Sequence, residues 1–213
     1  MTEPEDAPSA PVESAIASSS EARARARAVD KRSPAPGAAP LGLAIFLVSL
    51  GVLFAAGVVA YWAIRLARPD WDAGLPPAPP VLWLSTSALL ASSGALHAAH
   101  RAAQREAAAP LRRWLEVALL LGLLYFAGQG WAWWSLWSAG LRGSESLYGY
   151  TVYFLTGLHA AHVLGGLVPL AVTAHRARCR SAAASREGVL LCAMYWHFLD
   201  GVWLVLFAHL LWA

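Results

Sequence analysis

The sequence predicts an all-α membrane protein: a bundle of five transmembrane helices preceded by a disordered N-terminal tail. Three observations lead to this fold class. The chain of 213 residues is 58% hydrophobic and only 14% charged, whereas soluble domains carry about 25% charged residues. Its apolar residues lie mainly in five stretches, each long enough, at about 20 residues, for a helix to cross a hydrocarbon core. Proline, glycine and arginine are concentrated between these stretches, as expected for turns and loops.

The first 40 residues differ in composition from the rest of the chain. They are rich in Ala, Pro, Ser and Glu, contain no aromatic residue, and mix acidic with basic side chains. Such a segment cannot bury enough apolar surface to offset the entropy lost when it becomes ordered. We therefore expect a disordered cytoplasmic tail over residues 1–40 and a five-helix membrane domain over residues 41–213.

The five apolar stretches follow one another along the remainder of the chain. They lie at roughly 41–65, 81–101, 114–137, 150–174 and 188–212. Because lipid offers no hydrogen-bond partner to a free backbone amide, each stretch is predicted to be helical. The segments between them contain, in order, Pro76 to Pro80, Arg101 to Arg113 with Pro110, Gly140 to Gly149, and Arg176 to Arg186.

The distribution of basic residues predicts the orientation of this bundle. Thirteen of the 16 Lys and Arg residues fall in the tail, the second loop and the fourth loop, and three fall on the other side. Loops rich in Lys and Arg remain in the cytoplasm, so the N-terminus is expected inside and the C-terminus outside. Tryptophans favour the opposite boundary, where an indole ring lies partly in water: Trp62, Trp71, Trp83, Trp131, Trp133, Trp134, Trp137 and Trp212.

Composition also excludes several classes of function. The net charge is +3, but the basic residues lie at the ends of apolar segments, which argues against a nucleic-acid partner. The two cysteines, Cys179 and Cys192, are too few for a disulfide framework. They are also too few for an iron–sulfur centre, which needs about four thiolates. No glycine-rich phosphate loop, nucleophile elbow or pair of catalytic carboxylates is present.

Three of the predicted helices carry polar side chains at membrane depth. An ionisable side chain there costs about 2.5–3.5 kcal/mol, so it is expected to face protein or a cavity. Residues three or four apart lie on one side of a helix, and we expect these polar faces to turn toward one another or toward a partner protein. They are Thr86, Ser93, His97 and His100 on the second helix, His159 and His162 on the fourth, and His197 and Asp200, flanked by Trp196 and Trp203, on the fifth.

The residues alone leave three uses of these polar faces open. One is metal or haem ligation, although the chain has seven histidines and no adjacent pair, unlike the histidine boxes of membrane di-iron enzymes. A second is proton handling, because a His–Asp group titrates near neutrality in a suitable environment. A third is a hydrogen-bonded network that fixes helix packing. The chemistry of the residues favours the third.

Two segments resemble subunit III of the haem-copper oxidases, in its short five-helix bacterial form. The segment TVYFLTGLHAAHVLGGL (151–167) resembles the family's Thr-Gly-x-His-x-x-His-Val helix. The segment YWHFLDGVW (195–203) resembles its Tyr-Trp-His-Phe-x-Asp-x-x-Trp signature. Weaker similarity extends through AYWAIR (60–65), LLASSGALH (89–97) and LLLGLLYFAGQ (119–129). The resemblance covers about residues 41–213, and the last two helices are its specific part.

The resemblance implies an accessory subunit of a terminal oxidase in the bacterial plasma membrane. Such a subunit packs against catalytic subunit I, beside subunit II, and supports assembly, proton uptake and aerobic electron transport. Haem and copper are expected in the catalytic subunit, and phospholipid is expected to bind this chain. No catalytic, cofactor-binding or metal-ligating residue is therefore predicted here. The residues that carry over to a buried polar network or subunit interface are Ser93, His97, His159, His162, Trp196, His197 and Asp200.

One position departs from the family pattern. In FLVSLGVLF (46–54), Ser49 is followed by Leu50, where family members often have a membrane-embedded Glu. The resemblance therefore does not imply, for this chain, a role that depends on that carboxylate. Two alternatives remain at this point: an accessory subunit of a nitric oxide reductase, and a free-standing membrane protein with a histidine-ligated haem or metal.

Overall fold

The structure, a computed structural model, describes residues 37–67, 78–143 and 146–211. It contains the helices α1 (Ala38–Ala67), α2 (Val81–Gln104), α3 (Ala108–Ser138), α4 (Leu147–Cys179) and α5 (Ala182–Leu211). All five are long and apolar enough to cross a membrane, and the described ranges contain no strand. The predicted all-α, five-helix fold is confirmed. The tail predicted over residues 1–40 lies outside the described residues except for its last four, three of which begin α1.

The helices extend beyond the apolar stretches that predicted them. α3 begins at Ala108 instead of near residue 114, and α4 continues to Cys179 instead of ending near residue 174. Hydropathy detects only the part of a helix that lies in hydrocarbon, whereas the backbone remains helical through the interface. Pro110 does not prevent this, because a missing N–H is tolerated in the first turn of a helix.

The α2–α3 connection is consequently a tight turn of three residues. The Glu106 N–H bonds the carbonyl of Ala103, and the Ala107 N–H bonds that of Ala102, which is the Schellman arrangement. Glu106 has a φ of 57°, a left-handed conformation that costs a side-chain-bearing residue about 1–2 kcal/mol. Arg186 of α5 holds the Glu106 carboxylate at 3.1 Å, which offsets part of that cost.

Four helices form the core, and α1 packs on its outside. α2 packs against α3 and α5, and α4 packs against the same two helices. These helices belong to one compact unit that begins at Leu43. α1 buries a narrow face, in which the Phe54 ring lies 5.6 Å from that of His162. The outward side of α1 is therefore largely apolar and exposed.

The Trp196 side chain of α5 is packed between α3 and α4. Its indole is buried against Gly122 of α3 and Gly166 of α4. A methyl group added at Gly122 would lie 3.0 Å from the indole, and one added at Gly166 would lie 2.6 Å from the Tyr195 ring. The absence of a side chain at both positions lets α3 and α4 lie close to the two rings, and the fit is tightest at Gly166.

Arginines join the helices at the end of the bundle where α2 and α4 finish and α3 and α5 begin, called here the arginine end. Arg186 donates to the carbonyls of Ala103 and Gln104, at 3.1 and 2.8 Å. Arg112 donates to the carbonyl of Ala177 at 2.9 Å. The last carbonyls of a helix have no partner within that helix, so these arginines satisfy them from a neighbouring helix.

Aromatic and polar contacts join α1 to α5 at the opposite end. The Trp62 indole N–H donates to His209 Nε2 at 2.7 Å, and the second ring nitrogen of His209 donates to the carbonyl of Val205. The Arg65 guanidinium lies 5.3 Å from the centre of the Trp62 ring. Of the tryptophans predicted at this boundary, Trp71 and Trp212 lie outside the described residues.

Replacing Gly166 by Ala is expected to weaken the bundle. The added methyl group would contact the Tyr195 ring, and overpacking of this kind costs about 1–3 kcal/mol. Gly165→Ala is the matched control, because no atom lies within 4 Å of a methyl group there and both variants gain the same helix propensity. The free energy of unfolding of the purified chain in mixed micelles measures the difference. Equal stabilities would contradict the packing described.

Candidate functional site

A polar group lies where α2 crosses α5. Ser93 Oγ and His197 Nδ1 share a hydrogen bond of 2.6 Å. The same nitrogen lies 4.0 Å from Asp200 Oδ2, and the His97 ring is centred 6.3 Å from the His197 ring. Four of the predicted residues are therefore brought together. Ser93 and Asp200 are buried, whereas His97 and His197, called here the imidazole pair, are exposed on the surface above them.

Asp200 is the one buried acidic side chain among the residues that the structure describes. It lies on the same face of α5 as Trp196 and Trp203, one turn from each, which explains its burial. Its Oδ1 atom has no hydrogen-bond partner among the described residues. A buried carboxyl group with a free oxygen retains the capacity to bind a proton or to accept a hydrogen bond from another molecule.

His159 occupies a separate, aromatic environment in the centre of the bundle. The ring is fully buried and stacks on Trp203 at 5.2 Å. Tyr125 of α3 and Phe54 of α1 meet it edge to face, with ring centres 6.1 and 6.2 Å away. Neither ring nitrogen of His159 nor the Tyr125 hydroxyl has a hydrogen-bond partner among the described residues. The imidazole therefore packs here as an aromatic ring, and its two nitrogen atoms remain without a hydrogen-bond partner among the described residues.

Trp203 joins the aromatic environment of His159 to α2. Its indole N–H donates to Thr86 Oγ1 at 2.9 Å, and the Thr86 hydroxyl donates in turn to the carbonyl of Leu82. The same indole ring contacts Tyr125, 5.4 Å away. The sequence identified Trp203 only as a neighbour of Asp200, although its position one turn later in the same motif places it on the same face. Tyr125 was missed because nothing in the sequence marks which residue of α3 meets His159.

The side chains of His162 and Trp196 make no hydrogen bond with Ser93, His97, His197 or Asp200. His162 is half-buried beside α1, and its Nδ1 donates to the carbonyl of Leu158 in its own helix at 2.7 Å. His159 and His162, predicted to form a single polar patch, both contact the Phe54 ring, but His159 is buried in the core and His162 lies at its edge. A separation of three residues leaves side chains about 60° apart around a helix, enough to place one in the core and the other at its edge. The Trp196 indole nitrogen is buried without a partner among the described residues.

The geometry supplies proton-binding groups without a set of metal ligands. Among the described residues, no group of three or more His, Cys, Asp or Glu side chains is placed to hold a metal ion. His97 and His197 face the surface together, whereas His159 is enclosed by aromatic rings. Hydrogen bonding, proton exchange and contact with a partner are thus the chemistry that this arrangement allows.

An apolar groove runs between α1 and α5 on the membrane-facing surface. Its volume is about 540 Å³ and it opens outward beside the imidazole pair. The groove is lined by Gly51, Phe54, Ala55, Val58, Val59, His197, Phe198, Gly201, Val202, Val205 and Leu206.

α1 carries no acidic side chain at membrane depth. Leu50 is buried in this helix, and Ser49 donates a hydrogen bond to the carbonyl of Ile45 in the same helix.

Comparison with known proteins agrees with the motifs on α4 and α5. A family model described as cytochrome c oxidase subunit III matches residues 35–213. The chain belongs to this family. The probable cytochrome c oxidase subunit 3 of Nocardia farcinica is 34% identical, over 81% of this chain and 87% of the relative. The cytochrome c oxidase subunit 3 of Corynebacterium diphtheriae is 31% identical, over 81% and 86%, and that of a Synechocystis strain is 31% identical, over 78% and 72%.

Membership of the subunit III family confirms the resemblance inferred from the sequence. The matched region includes all five helices, so it also covers the weaker similarities on α1, α2 and α3. The two alternatives, a nitric oxide reductase subunit and a free-standing haem or metal protein, receive no support from these matches.

Ser93→Ala is expected to destabilise the chain by about 1 kcal/mol, the usual contribution of one hydrogen bond. The reason is loss of the bond to His197 across the α2–α5 contact. Ser87→Ala serves as the control, because Ser87 is exposed on the same helix and bonds only its own backbone, at Trp83. Unfolding of both variants in mixed micelles measures the effect. If the two variants proved equally stable, the Ser93–His197 bond would contribute nothing.

Proposed function

We propose that this chain is the non-catalytic third subunit of a bacterial haem-copper terminal oxidase. The observation that carries the proposal is the family match through all five helices. In this role the chain is a component of an enzyme complex, and oxygen reduction takes place at haem and copper in catalytic subunit I. The hydrogen bond between Ser93 and His197 joins two helices of this chain, which agrees with an accessory role.

The proposed location is the bacterial plasma membrane, with the arginine end facing the cytoplasm. Eight of the Arg residues that the structure describes lie at this end, and Arg65 and Arg142 lie at the other. This distribution follows the positive-inside rule. Residues 1–40 are accordingly proposed as a cytoplasmic tail and residues 41–213 as the membrane domain, with the C-terminus outside.

We propose the imidazole pair as part of the surface that meets the catalytic subunit. His197 lies near the middle of α5 and its side chain is 48% exposed. An imidazole in contact with acyl chains at that depth is unfavourable, so a protein partner is expected to cover it. Gly94 lies beside His97 and has no atom within 4 Å of a potential methyl group, which allows the backbone of a partner helix to approach closely.

The same surface is proposed to support proton uptake by the complex. His97, His197 and the buried Asp200 form proton-binding groups at the boundary between α2 and α5. Their position next to a partner places them where they can influence its protonation electrostatically. With Leu50 on α1, this role rests on α2 and α5 and requires no carboxylate on α1.

Phospholipid is proposed to occupy the groove between α1 and α5. Its walls are almost entirely apolar, and it opens at membrane depth. A volume of about 540 Å³ is sufficient for part of one acyl chain. The aliphatic and aromatic side chains that line the groove match such a ligand, whereas the His197 imidazole, which also lines it, is the part that the protein partner is proposed to cover.

Purification of the tagged chain from its native membrane in mild detergent tests the proposed role. We expect a haem-containing subunit to be recovered with it, and we expect the chain produced alone to show no haem absorbance. A stoichiometric b-type haem spectrum from the isolated chain, or recovery of a nitric oxide reductase subunit instead, would overturn the assignment.

The same purification tests the proposed interface. Gly94→Leu is expected to reduce recovery of the catalytic subunit by about tenfold, because a bulky side chain would block close approach at a cost of about 1–3 kcal/mol. Gly130→Leu on α3 is the matched control, since Gly130 is equally exposed and has no neighbour within 4 Å. Equal recovery with both variants would place the interface elsewhere.

A further inference from the structure

Three of the eight arginines at the arginine end join helices, and two of the remaining five, Arg101 and Arg105, lie together in one cleft. Arg112 and Arg186 bond carbonyls of neighbouring helices, and Arg178 pairs with Glu116 at 2.8 Å. The side chains of Arg101 and Arg105 make no hydrogen bond or ion pair with any residue that the structure describes. The guanidinium groups of these two residues are thus free to bind another molecule.

Both arginines line one cleft between the end of α2 and the start of α3. The cleft has a volume of about 230 Å³. Ala98, Pro110 and Trp114 contribute its apolar wall. It combines two cationic groups with a hydrophobic surface, and it is separate from the groove between α1 and α5.

The position of the cleft along α2 places it at the level of lipid headgroups. α2 has 24 residues, which corresponds to about 36 Å of helix, whereas a hydrocarbon core is about 30 Å thick. Arg101 lies in its last turn and Arg105 caps its C-terminus. Trp114 is 40% exposed, as is usual for an indole at a membrane boundary.

No acidic side chain occupies the two guanidinium groups. Glu106, next to Arg105 in sequence, is bound by Arg186 at 3.1 Å, and Glu116 is bound by Arg178. Arginine forms paired, charge-assisted hydrogen bonds with phosphate oxygens. A phosphate group therefore matches the free donors, and an acyl chain matches the wall beside them.

We propose that the cleft formed by Arg101, Arg105 and Trp114 binds the phosphate of an anionic phospholipid. The headgroup contacts the two guanidinium groups, and the upper part of an acyl chain lies against Ala98 and Trp114. A lipid is preferred over free phosphate because the cleft has an apolar wall and lies at the membrane surface, where lipid phosphates are abundant.

Native mass spectrometry of the delipidated full-length chain tests the proposal. Phosphatidylglycerol and phosphatidylcholine with identical acyl chains serve as probes, and phosphatidylglycerol is expected to bind more tightly. The double variant R101Q/R105Q should lower phosphatidylglycerol affinity by about 30-fold. R176Q/R180Q is the matched control, because Arg176 and Arg180 are exposed and occupy the last turn and C-cap of α4. It should retain the affinity of the unaltered chain.

A second pair of variants tests the shape of the cleft with the charge unchanged. Ala98→Phe would fill the cleft and is expected to reduce phosphatidylglycerol binding as strongly as removal of the arginines. Ala91→Phe, two turns away on the same exposed side of α2, should have no effect. Circular dichroism verifies that each variant remains helical.

Four results would overturn the proposal. Unchanged binding by R101Q/R105Q would exclude the arginines, and an equal loss in R176Q/R180Q would indicate general charge attraction. Retained binding by Ala98→Phe would exclude the cleft. Displacement of the lipid by millimolar inorganic phosphate would identify a site for free phosphate instead.

Discussion

The contacts of the Trp203 indole are the ones on which the rest of the bundle depends. One side chain of α5 donates a hydrogen bond to Thr86 of α2, stacks on His159 of α4 and contacts Tyr125 of α3. In a membrane the hydrophobic effect does not drive helices together, so close packing and interhelical hydrogen bonds must do so. Trp203 supplies a hydrogen bond to α2 and ring packing to α3 and α4. The glycines around Trp196, seven residues earlier on the same face, permit α5 to lie deeply enough for these contacts to form.

The pairing of hydrogen-bonding atoms differs between the centre of the bundle and its arginine end. At the arginine end, Arg112 and Arg186 satisfy carbonyls that their own helices leave free. At the centre, both nitrogens of His159 and the Tyr125 hydroxyl have no partner among the described residues. An unsatisfied buried polar group costs about 1–3 kcal/mol. The bundle therefore leaves polar atoms unpaired in its aromatic centre, whereas at the arginine end long basic side chains reach the free carbonyls of neighbouring helices.

The sequence predicted the five spans well because twenty apolar residues in succession have few alternatives to a membrane helix. It predicted their ends less well, since α3 and α4 continue through the interface, where hydropathy gives no signal. Of the site, the proximity of Ser93, His97, His197 and Asp200 followed from helical spacing and the family motifs. The separation of His159 from His162, and the contact of His159 with Tyr125, did not. Both depend on the rotation of α4 relative to α1 and α3, which a single sequence does not specify.

The resemblance described for α1 includes a membrane-embedded Glu after Ser49, and this chain has Leu50 there. Leu50 is buried, and the whole of α1 has no acidic residue. Asp200, on α5, is the one buried carboxyl group in the part of the chain that the structure describes. It lies beneath the imidazole pair, 4.0 Å from His197. Proton-binding capacity is therefore concentrated where α2 meets α5, and α1 provides one wall of an apolar groove. His197 belongs to both regions, because its ring lies beside His97 and also lines the groove.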